Sequence, residues 1–197
     1  MPIKRPINGF ITVFSLVLMM IAFSLPSNVI AGGEIVYLKY NVHAYQKGSG
    51  YNSSYANWTN PGPGHVLFPV NTAVRVSPFS RWRAGRGFFL TAVDEGKKIS
   101  YEFHKQRMGM TIDEYTKLIT SPKKVSLKRF SKKDREGIRL GKAMVGMTKK
   151  GVMMALGYPA CHKTPSLEDG VYVYWQSRFK TLAVEFNSKG KVVRIRQ

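Results

Sequence analysis

The stretch Gly146–Pro159, GMTKKGVMMALGYP, decides how the C-terminal third of this chain folds. It predicts one short helix, because the Thr148 hydroxyl can cap the N-terminus and the apolar run 152–156 supplies a buried side. Gly157 suits the left-handed position after the last turn, and Pro159 blocks continuation. Three runs typical of strands follow and complete a small α+β unit: 171–175, 182–186 and 192–195.

This order of elements resembles the BamE (SmpA/OmlA) family of bacterial outer-membrane assembly factors over residues 131–197. The resemblance is carried by Gly-Met-Thr at 146–148, Leu-Gly-Tyr-Pro at 156–159, the aromatic strand 172–175 and a hairpin through 187–192. It implies short helices packed on a three-stranded antiparallel sheet, with contacts to an assembly-complex partner and to anionic lipid. The family are lipoproteins anchored through a cysteine just after the signal sequence. Because the only cysteine here is Cys161, this chain cannot be lipidated in that way.

Residues 1–31 have the order of a secretory signal peptide. Lys4 and Arg5 precede an apolar stretch from Phe10 to Phe23, and a small-residue end follows at Ala31. The apolar stretch is shorter than the ~20 residues that a spanning helix needs, which favours cleavage over retention as a membrane anchor. We therefore expect an exported, periplasmic protein that is peripheral at the outer membrane and has no lipoprotein cysteine.

The charge of the chain indicates an anionic partner. Thirty-one lysines and arginines against 11 acids give a formal net charge of +20. A charge of this sign attracts anionic surfaces. The expected partners are an envelope protein complex or an anionic lipid or lipopolysaccharide surface, with peptidoglycan as a further candidate. Export argues against nucleic acid, and a generally basic, solvated surface without a dedicated ligand is the alternative.

The N-terminal half is predicted to be β-rich. Short strands at 66–68 and 72–76, a long loop at 45–64 and a hairpin over 88–103 are similar to SH3-like barrels of the cell envelope. The predicted fold class is therefore α+β, with a small SH3-like β-barrel followed by a BamE-like domain. The predicted parts are a signal peptide (1–31), an SH3-like domain (32–107), a helix and basic linker (108–130) and a BamE-like domain (131–197).

Two further helices follow from capping signals. Thr111 caps a helix over 111–119, with acids in its first turn where the helix dipole favours them. Ser131, with Asp134 three residues later, starts another helix that Gly141 ends.

The C-terminal helix and the first strand after it supply one candidate site for an anion or a partner. Lys149 and Lys150 oppose the helix dipole, which a bound anion at the free N–H groups would explain, although two solvated lysines are the alternative. Alternation in the strand places Tyr172 and Tyr174 on one face. We expect that face to be half-exposed and available to a partner, with the opposite face, which includes Trp175, buried on the helix.

The N-terminal half supplies a second candidate site, for a peptide or an envelope component. Tyr51, Tyr55 and Trp58 lie in the long loop, where exposed aromatic rings would form a platform for an extended ligand. The alternative is that these rings cover the barrel. A second cluster is basic and aromatic and consists of Arg81, Trp82, Arg83 and Arg86. It would meet phosphates or carboxylates, or it would form an ordinary arginine-rich turn.

No pattern in the sequence indicates catalysis, a cofactor or a metal. Paired carboxylates, a nucleophile elbow and a phosphate-cradling glycine loop are absent, and the four histidines lack metal-ligand spacing. Cys161 precedes His162, but neighbouring residues rarely adopt catalytic geometry, so a packing cysteine is expected over a reactive thiol. The predicted function is a non-catalytic envelope binding or adaptor protein that supports outer-membrane assembly or envelope integrity. The alternatives are a peptidoglycan- or peptide-recognition module acting through the SH3-like half, and an enzyme that uses Cys161.

Overall fold

The computed structural model describes residues 33–197, so the predicted signal peptide lies outside the described residues. The described part belongs to one compact unit and contains eleven strands and four short helices. In chain order they are β1 (Ile35–Leu38), β2 (Val42–Lys47), β3 (Gly50–Ser54), β4 (His65–Phe68), β5 (Ala73–Pro78), β6 (Gly87–Ala92), β7 (Lys98–Glu102), α1 (Lys105–Met108), α2 (Ile112–Ile119), β8 (Thr120–Ser121), α3 (Lys132–Leu140), α4 (Lys149–Leu156), β9 (Val171–Trp175), β10 (Thr181–Phe186) and β11 (Val192–Arg196).

The first eight strands form one curled sheet, a half-barrel, in the order β4-β2-β3-β7-β6-β5-β1-β8. All its pairs are antiparallel except β3 with β7, which run parallel with Tyr51 opposite Ile99 and Ser54 opposite Glu102. Parallel neighbours need a long connection, and here that connection contains β4, β5 and β6.

Alternation of side chains gives this sheet one buried face. Phe88 and Leu90 in β6 and Ile99 and Tyr101 in β7 point into a single apolar core. Helix α2 closes that core, since Tyr115 is fully buried and its hydroxyl lies 2.8 Å from that of Tyr101. Burial of each large apolar side chain contributes roughly 1.5–3 kcal/mol.

The remaining strands form a three-stranded antiparallel sheet in the order β11-β10-β9. A second apolar cluster joins its buried face to α3 and α4. The predicted helix starts are confirmed: Thr111 and Ser131 form capping boxes, and the Thr148 hydroxyl accepts a hydrogen bond from the Gly151 amide at 2.9 Å. The predicted helix ends are confirmed at Gly141 and Gly157. Gly141 has the left-handed conformation (φ 62°, ψ 35°), whereas Gly157, with φ 91° and ψ 176°, does not adopt the left-handed conformation that was predicted for it.

Backbone hydrogen bonds join the loop after β3 to the second sheet. The Trp175 amide donates to the Ala56 carbonyl at 3.2 Å, and the Thr59 amide donates to the Trp175 carbonyl at 2.8 Å. The segment 55–60 therefore pairs with the edge of β9. Asn41, almost fully buried, donates from its side chain to the carbonyls of Ile138 and Ala155 at 2.6 and 3.2 Å and so fastens α3 and α4 to the first sheet.

The predicted fold class is wrong. The structure is mostly sheet, an eight-stranded half-barrel plus a three-stranded sheet with few short helices, and not an SH3-like barrel followed by helices on a three-stranded sheet. The error has a local cause: β3, with the sequence GYNSS, lies in a stretch whose Gly, Ser and Asn content predicted a loop. Once β3 pairs with β7, and β8 adds to β1, the strands extend into one wide sheet. Within residues 33–197, no helix combines the length and the apolar composition needed to cross a membrane.

Candidate functional site

An open groove of about 660 Å³ lies over the outer face of β2, β3 and β7. Its floor contains a row of polar side chains in direct register across the three strands, Tyr45, Asn52 and Ser100. They face away from the core because the alternate residues, among them Ala44 and Tyr101, point into it. The sheet therefore offers the groove a floor of hydrogen-bonding side chains.

The rim of this groove is basic. Four cationic side chains line it, from β2, from the turn after β5 and from the start of α1: Lys47, Arg83, Arg86 and Lys105. Glu102 is the one acid among the lining residues. Across the described part of the chain, ion pairs are formed by other residues, so these five charges have no ionic partner there.

A second cleft, of about 480 Å³, continues from the first. The two share Trp58 and Glu102, and the second adds Arg107, Arg178 and Phe179. Below them, Tyr55 is buried and its hydroxyl accepts a hydrogen bond from Arg107 at 2.8 Å. The two clefts together form one basic, aromatic groove, hereafter the groove, and Trp58 lies at its middle.

The backbone holds Trp58 in place. Asn57 and Trp58 have positive φ angles of 77° and 43°, a conformation that costs non-glycine residues about 1–3 kcal/mol each. The Asn57 side chain donates to the Tyr158 carbonyl at 3.1 Å, and the pairing of segment 55–60 with β9 fixes the residues on both sides. The Trp58 ring packs on Tyr45 with centroids 5.2 Å apart. The groove thus has a fixed aromatic wall at a strained position.

The structure distributes the predicted peptide-binding residues unevenly. Trp58, Arg83 and Arg86 line the groove. Tyr55 is buried but lines the second cleft, whereas Tyr51 packs edge-on against the core residue Phe68 with ring centroids 5.5 Å apart. Arg81 and Trp82 are exposed on the 3-10 turn Arg81–Arg83, where Trp82 is 94% exposed.

Sequence reasoning missed the floor of the groove. Asn52 belongs to β3, which had been predicted as loop, so its face could not be assigned. Ser100 and Glu102 were within reach, because strict alternation with the apolar residues Ile99 and Tyr101 places them on the outer face.

Three of the backbone amides at the N-terminus of α4, those of Thr148, Lys149 and Gly151, already have hydrogen-bond acceptors within the protein. The Thr148 amide donates to a carboxylate oxygen of the buried Asp134 at 2.7 Å, and the Lys149 amide donates to the Gly190 carbonyl at 3.1 Å. Lys149 directs its ammonium group to the Leu167 carbonyl at 3.0 Å. Lys150 remains exposed, with its ammonium 5.8 Å from the centre of the Phe130 ring. The two lysines therefore do not converge on one point.

Strand β9 faces the opposite way from the prediction. Tyr172 and Tyr174 are buried, whereas the face that contains Trp175 is half-exposed. Both faces of this strand are apolar, so alternation alone could not choose between them. The Tyr172 hydroxyl donates to the Leu167 carbonyl at 2.6 Å, and burial raises the pKa of Tyr172 to about 12.

A pair of histidines, His43 buried and His65 exposed, lies where β2 meets α4. His43 Nε2 must donate to the Ala155 carbonyl at 2.9 Å, so its Nδ1 accepts from His65 Nε2 at 3.0 Å. Burial lowers the pKa of His43 to about 4, and the same cause lowers the pKa of His65. His43 is therefore a neutral structural group at physiological pH.

Cys161 has an environment that does not activate a thiol. It is partly buried, and burial raises the pKa of its thiol, whereas a nucleophilic cysteine needs a lowered one. His162 instead stacks on Trp175 with ring centroids 5.3 Å apart. In the described part of the chain, no three His, Cys, Asp or Glu side chains are grouped as metal ligands.

The chain was also compared with protein-family models, with curated proteins and with solved structures. None of the three comparisons gives a significant match.

Proposed function

We propose that this chain is a non-catalytic binding protein of the cell envelope that holds an anionic ligand in the groove. The observation that carries the proposal is a set of four cations around one open groove with a fixed tryptophan wall. None of the four, Lys47, Arg83, Arg86 and Lys105, has an ionic partner among residues 33–197. The signal-peptide pattern of residues 1–31 supports the location.

Electrostatics gives the groove both attraction and selectivity. Like charges gathered in a concave surface repel one another, so an anionic ligand relieves that repulsion as well as forming new contacts. Because the rim is solvated, salt screens each ionic contact. Each contact therefore contributes more to the association rate constant than to slowing dissociation. The binding is therefore expected to weaken steeply as the salt concentration rises.

A paired-variant sedimentation assay tests the proposal. The full chain would be mixed with isolated peptidoglycan and with anionic membrane vesicles, as wild type and as Arg83→Glu/Arg86→Glu. The matched control is Lys128→Glu/Arg129→Glu, which makes the same change in charge at exposed residues between α2 and α3. We expect the groove variant to lose about ten-fold in affinity and the control to lose less than about three-fold. Equal losses in the two variants would show that total charge governs binding, and the proposal would be abandoned.

A second candidate function is an adaptor that binds an envelope protein complex, as the BamE-like sequence pattern implies. The observation that favours it is an exposed apolar pair, Val145 (60% exposed) and Val193 (51%). The hydrogen bond from the Gly146 amide to the Val192 carbonyl, 2.8 Å long, joins the two chain segments that carry these valines. Crosslinking in intact envelopes with Val145→Asp/Val193→Asp tests this surface. Loss of a crosslinked partner protein in that variant, but not in Arg83→Glu/Arg86→Glu, would favour the adaptor.

A further inference from the structure

We infer that the ligand of the groove is an acidic glycan, a chain of sugar units that carry carboxylates. This inference rests on the proposed function and names its ligand class. The ligand class follows from the polar side chains on the floor of the groove, from Glu102, and from the pairing of the strands beneath it. The proposed function followed from the cations on the rim.

The floor is built for hydroxyl groups. Tyr45, Asn52 and Ser100 carry two hydroxyls and one amide, and none of these side chains has a hydrogen-bond partner among residues 33–197. Such groups both donate and accept, as sugar hydroxyls do. A ligand of carboxylates or phosphates alone would leave half of this capacity unused.

Glu102 distinguishes a glycan from a plain polyanion. Its carboxylate belongs to both clefts, and across the described residues its side chain has neither an ion pair nor a hydrogen bond. A ligand with uniform negative charge would be repelled at this point. A ligand with hydroxyls at this point can donate hydrogen bonds to Glu102. If its carboxylates lie nearer Arg83 and Arg86, they form ion pairs with those residues.

The aromatic wall fits the same ligand. Trp58 packs on Tyr45 and lines both clefts. A sugar ring has an apolar face of C–H groups and a polar edge, so it can lie against an aromatic ring while its hydroxyls reach the floor. Aromatic groups with polar neighbours are the usual means by which proteins hold such amphipathic ligands.

The topology argues against an extended peptide as the ligand. Peptides that lie along a sheet commonly add to a free strand edge. The groove lies over β2, β3 and β7, and each of these strands is paired on both sides in the order β4-β2-β3-β7-β6. The groove therefore offers side chains and no free backbone edge, which suits a ligand recognised through hydroxyls and charges.

Titration calorimetry on the full chain tests this with three probes of matched length. They are an oligomer of galacturonic acid, a neutral glucose oligomer and an oligomer of glutamic acid. We expect the galacturonate oligomer to bind at least about ten-fold more tightly than either of the others. Asn52→Ala should weaken galacturonate binding about five-fold and leave glutamate binding unchanged. The matched control is Asn60→Ala, an exposed asparagine outside the groove.

The outcomes separate the two proposals. If the glutamate oligomer binds as tightly as galacturonate and Asn52→Ala has no effect, the glycan inference fails while the anionic groove stands. If no anionic probe binds in a manner that depends on Arg83 and Arg86, the proposed function fails as well. Circular dichroism of each variant confirms folding, and Ser100→Ala replaces Asn52→Ala if the latter is misfolded.

Discussion

Polar and charged side chains are concentrated in two regions: the joint, where α3 meets α4, and the groove over β2, β3 and β7. Their hydrogen-bonding groups are satisfied within the protein at the joint, but not on the floor of the groove. At the joint, the Asp134 carboxylate accepts hydrogen bonds from the Ser131 hydroxyl at 2.8 Å and from the Thr148 amide at 2.7 Å. It thereby caps two helices at once. In the groove, Asn52 and Glu102 have no such partners among the described residues.

The difference separates polar groups that stabilise the fold from polar groups that are available to a ligand. A buried carboxylate is tolerated only where hydrogen bonds satisfy it, and the joint provides them. An exposed polar group without a partner costs the fold little, because water hydrates it. Substitutions at the joint should therefore change stability, and substitutions in the groove should change binding alone.

The largest effect is expected from Gly151→Ala. In a helix interior this substitution usually stabilises by about 1 kcal/mol, but here the new Cβ would lie 2.1 Å from Asp134 Oδ1. Displacing that carboxylate breaks the double cap, so we expect a loss of about 3 kcal/mol in the free energy of unfolding, measured in urea. The control is Gly170→Ala, whose Cβ would meet nothing within 4 Å. A stabilised Gly151→Ala would refute the account of the joint.

The next effect concerns pH. His43 has a pKa of about 4 when folded and about 6.5 when unfolded, so the unfolded chain binds a proton first as the pH falls. Above pH 6.5, His43 is neutral in both states and the free energy of unfolding is unaffected. Between pH 6.5 and pH 4, protonation of the unfolded chain lowers the free energy of unfolding by up to about 3 kcal/mol. Urea unfolding at several pH values should show a flatter dependence for His43→Gln than for wild type. The exposed His162→Gln should keep most of the wild-type slope.

A smaller pair of effects should have opposite signs. Tyr172→Phe removes the hydrogen bond to the Leu167 carbonyl and should cost about 1 kcal/mol. The Tyr174 hydroxyl is buried without a hydrogen-bond partner among the described residues, so Tyr174→Phe should be neutral or should stabilise by about 1 kcal/mol. Thermal unfolding of both variants measures the difference. Two equal losses would mean that packing around the hydroxyls matters more than their hydrogen bonds.

The smallest effect is expected from Trp82→Ala. Truncation of a large aromatic residue in a core costs about 3–5 kcal/mol. Because Trp82 is 94% exposed beside the groove, we expect a change below about 0.5 kcal/mol in unfolding free energy. A larger loss would show that this turn contributes to stability. It would contradict the expectation that residues at the groove affect binding alone.

The sequence predicted the elements whose determinants are local. Thr111, Ser131 and Thr148 satisfy amides within three residues of themselves, so each helix start was readable. The pairing of β3 with β7 was not readable, because it joins residues 48 positions apart in a strand of weak β-propensity, as Tyr51 opposite Ile99 shows. The role of Gly151 was also hidden, since its reason is the carboxylate of Asp134 on another helix.

The same division applies to the candidate site. Trp58 and Arg83 stood out as an aromatic and a cation in turn-rich sequence, and both line the groove. The floor residue Asn52 gave no signal, because a single asparagine in a Gly- and Ser-rich stretch has many local uses. Its place depends on a register across three strands, which only the assembled sheet defines.

The pairing of segment 55–60 with β9 has a consequence for the order of folding. The Thr59 hydroxyl meets the Trp175 carbonyl 116 residues along the chain, so this contact cannot form until most of the protein has been synthesised. Closing a loop of that length costs about 4 kcal/mol in chain entropy, which the contacts offset only after they have formed. Non-local pairing of this kind slows folding. Trp58 therefore reaches its final position late, and acquisition of ligand binding during refolding would report the last step of assembly.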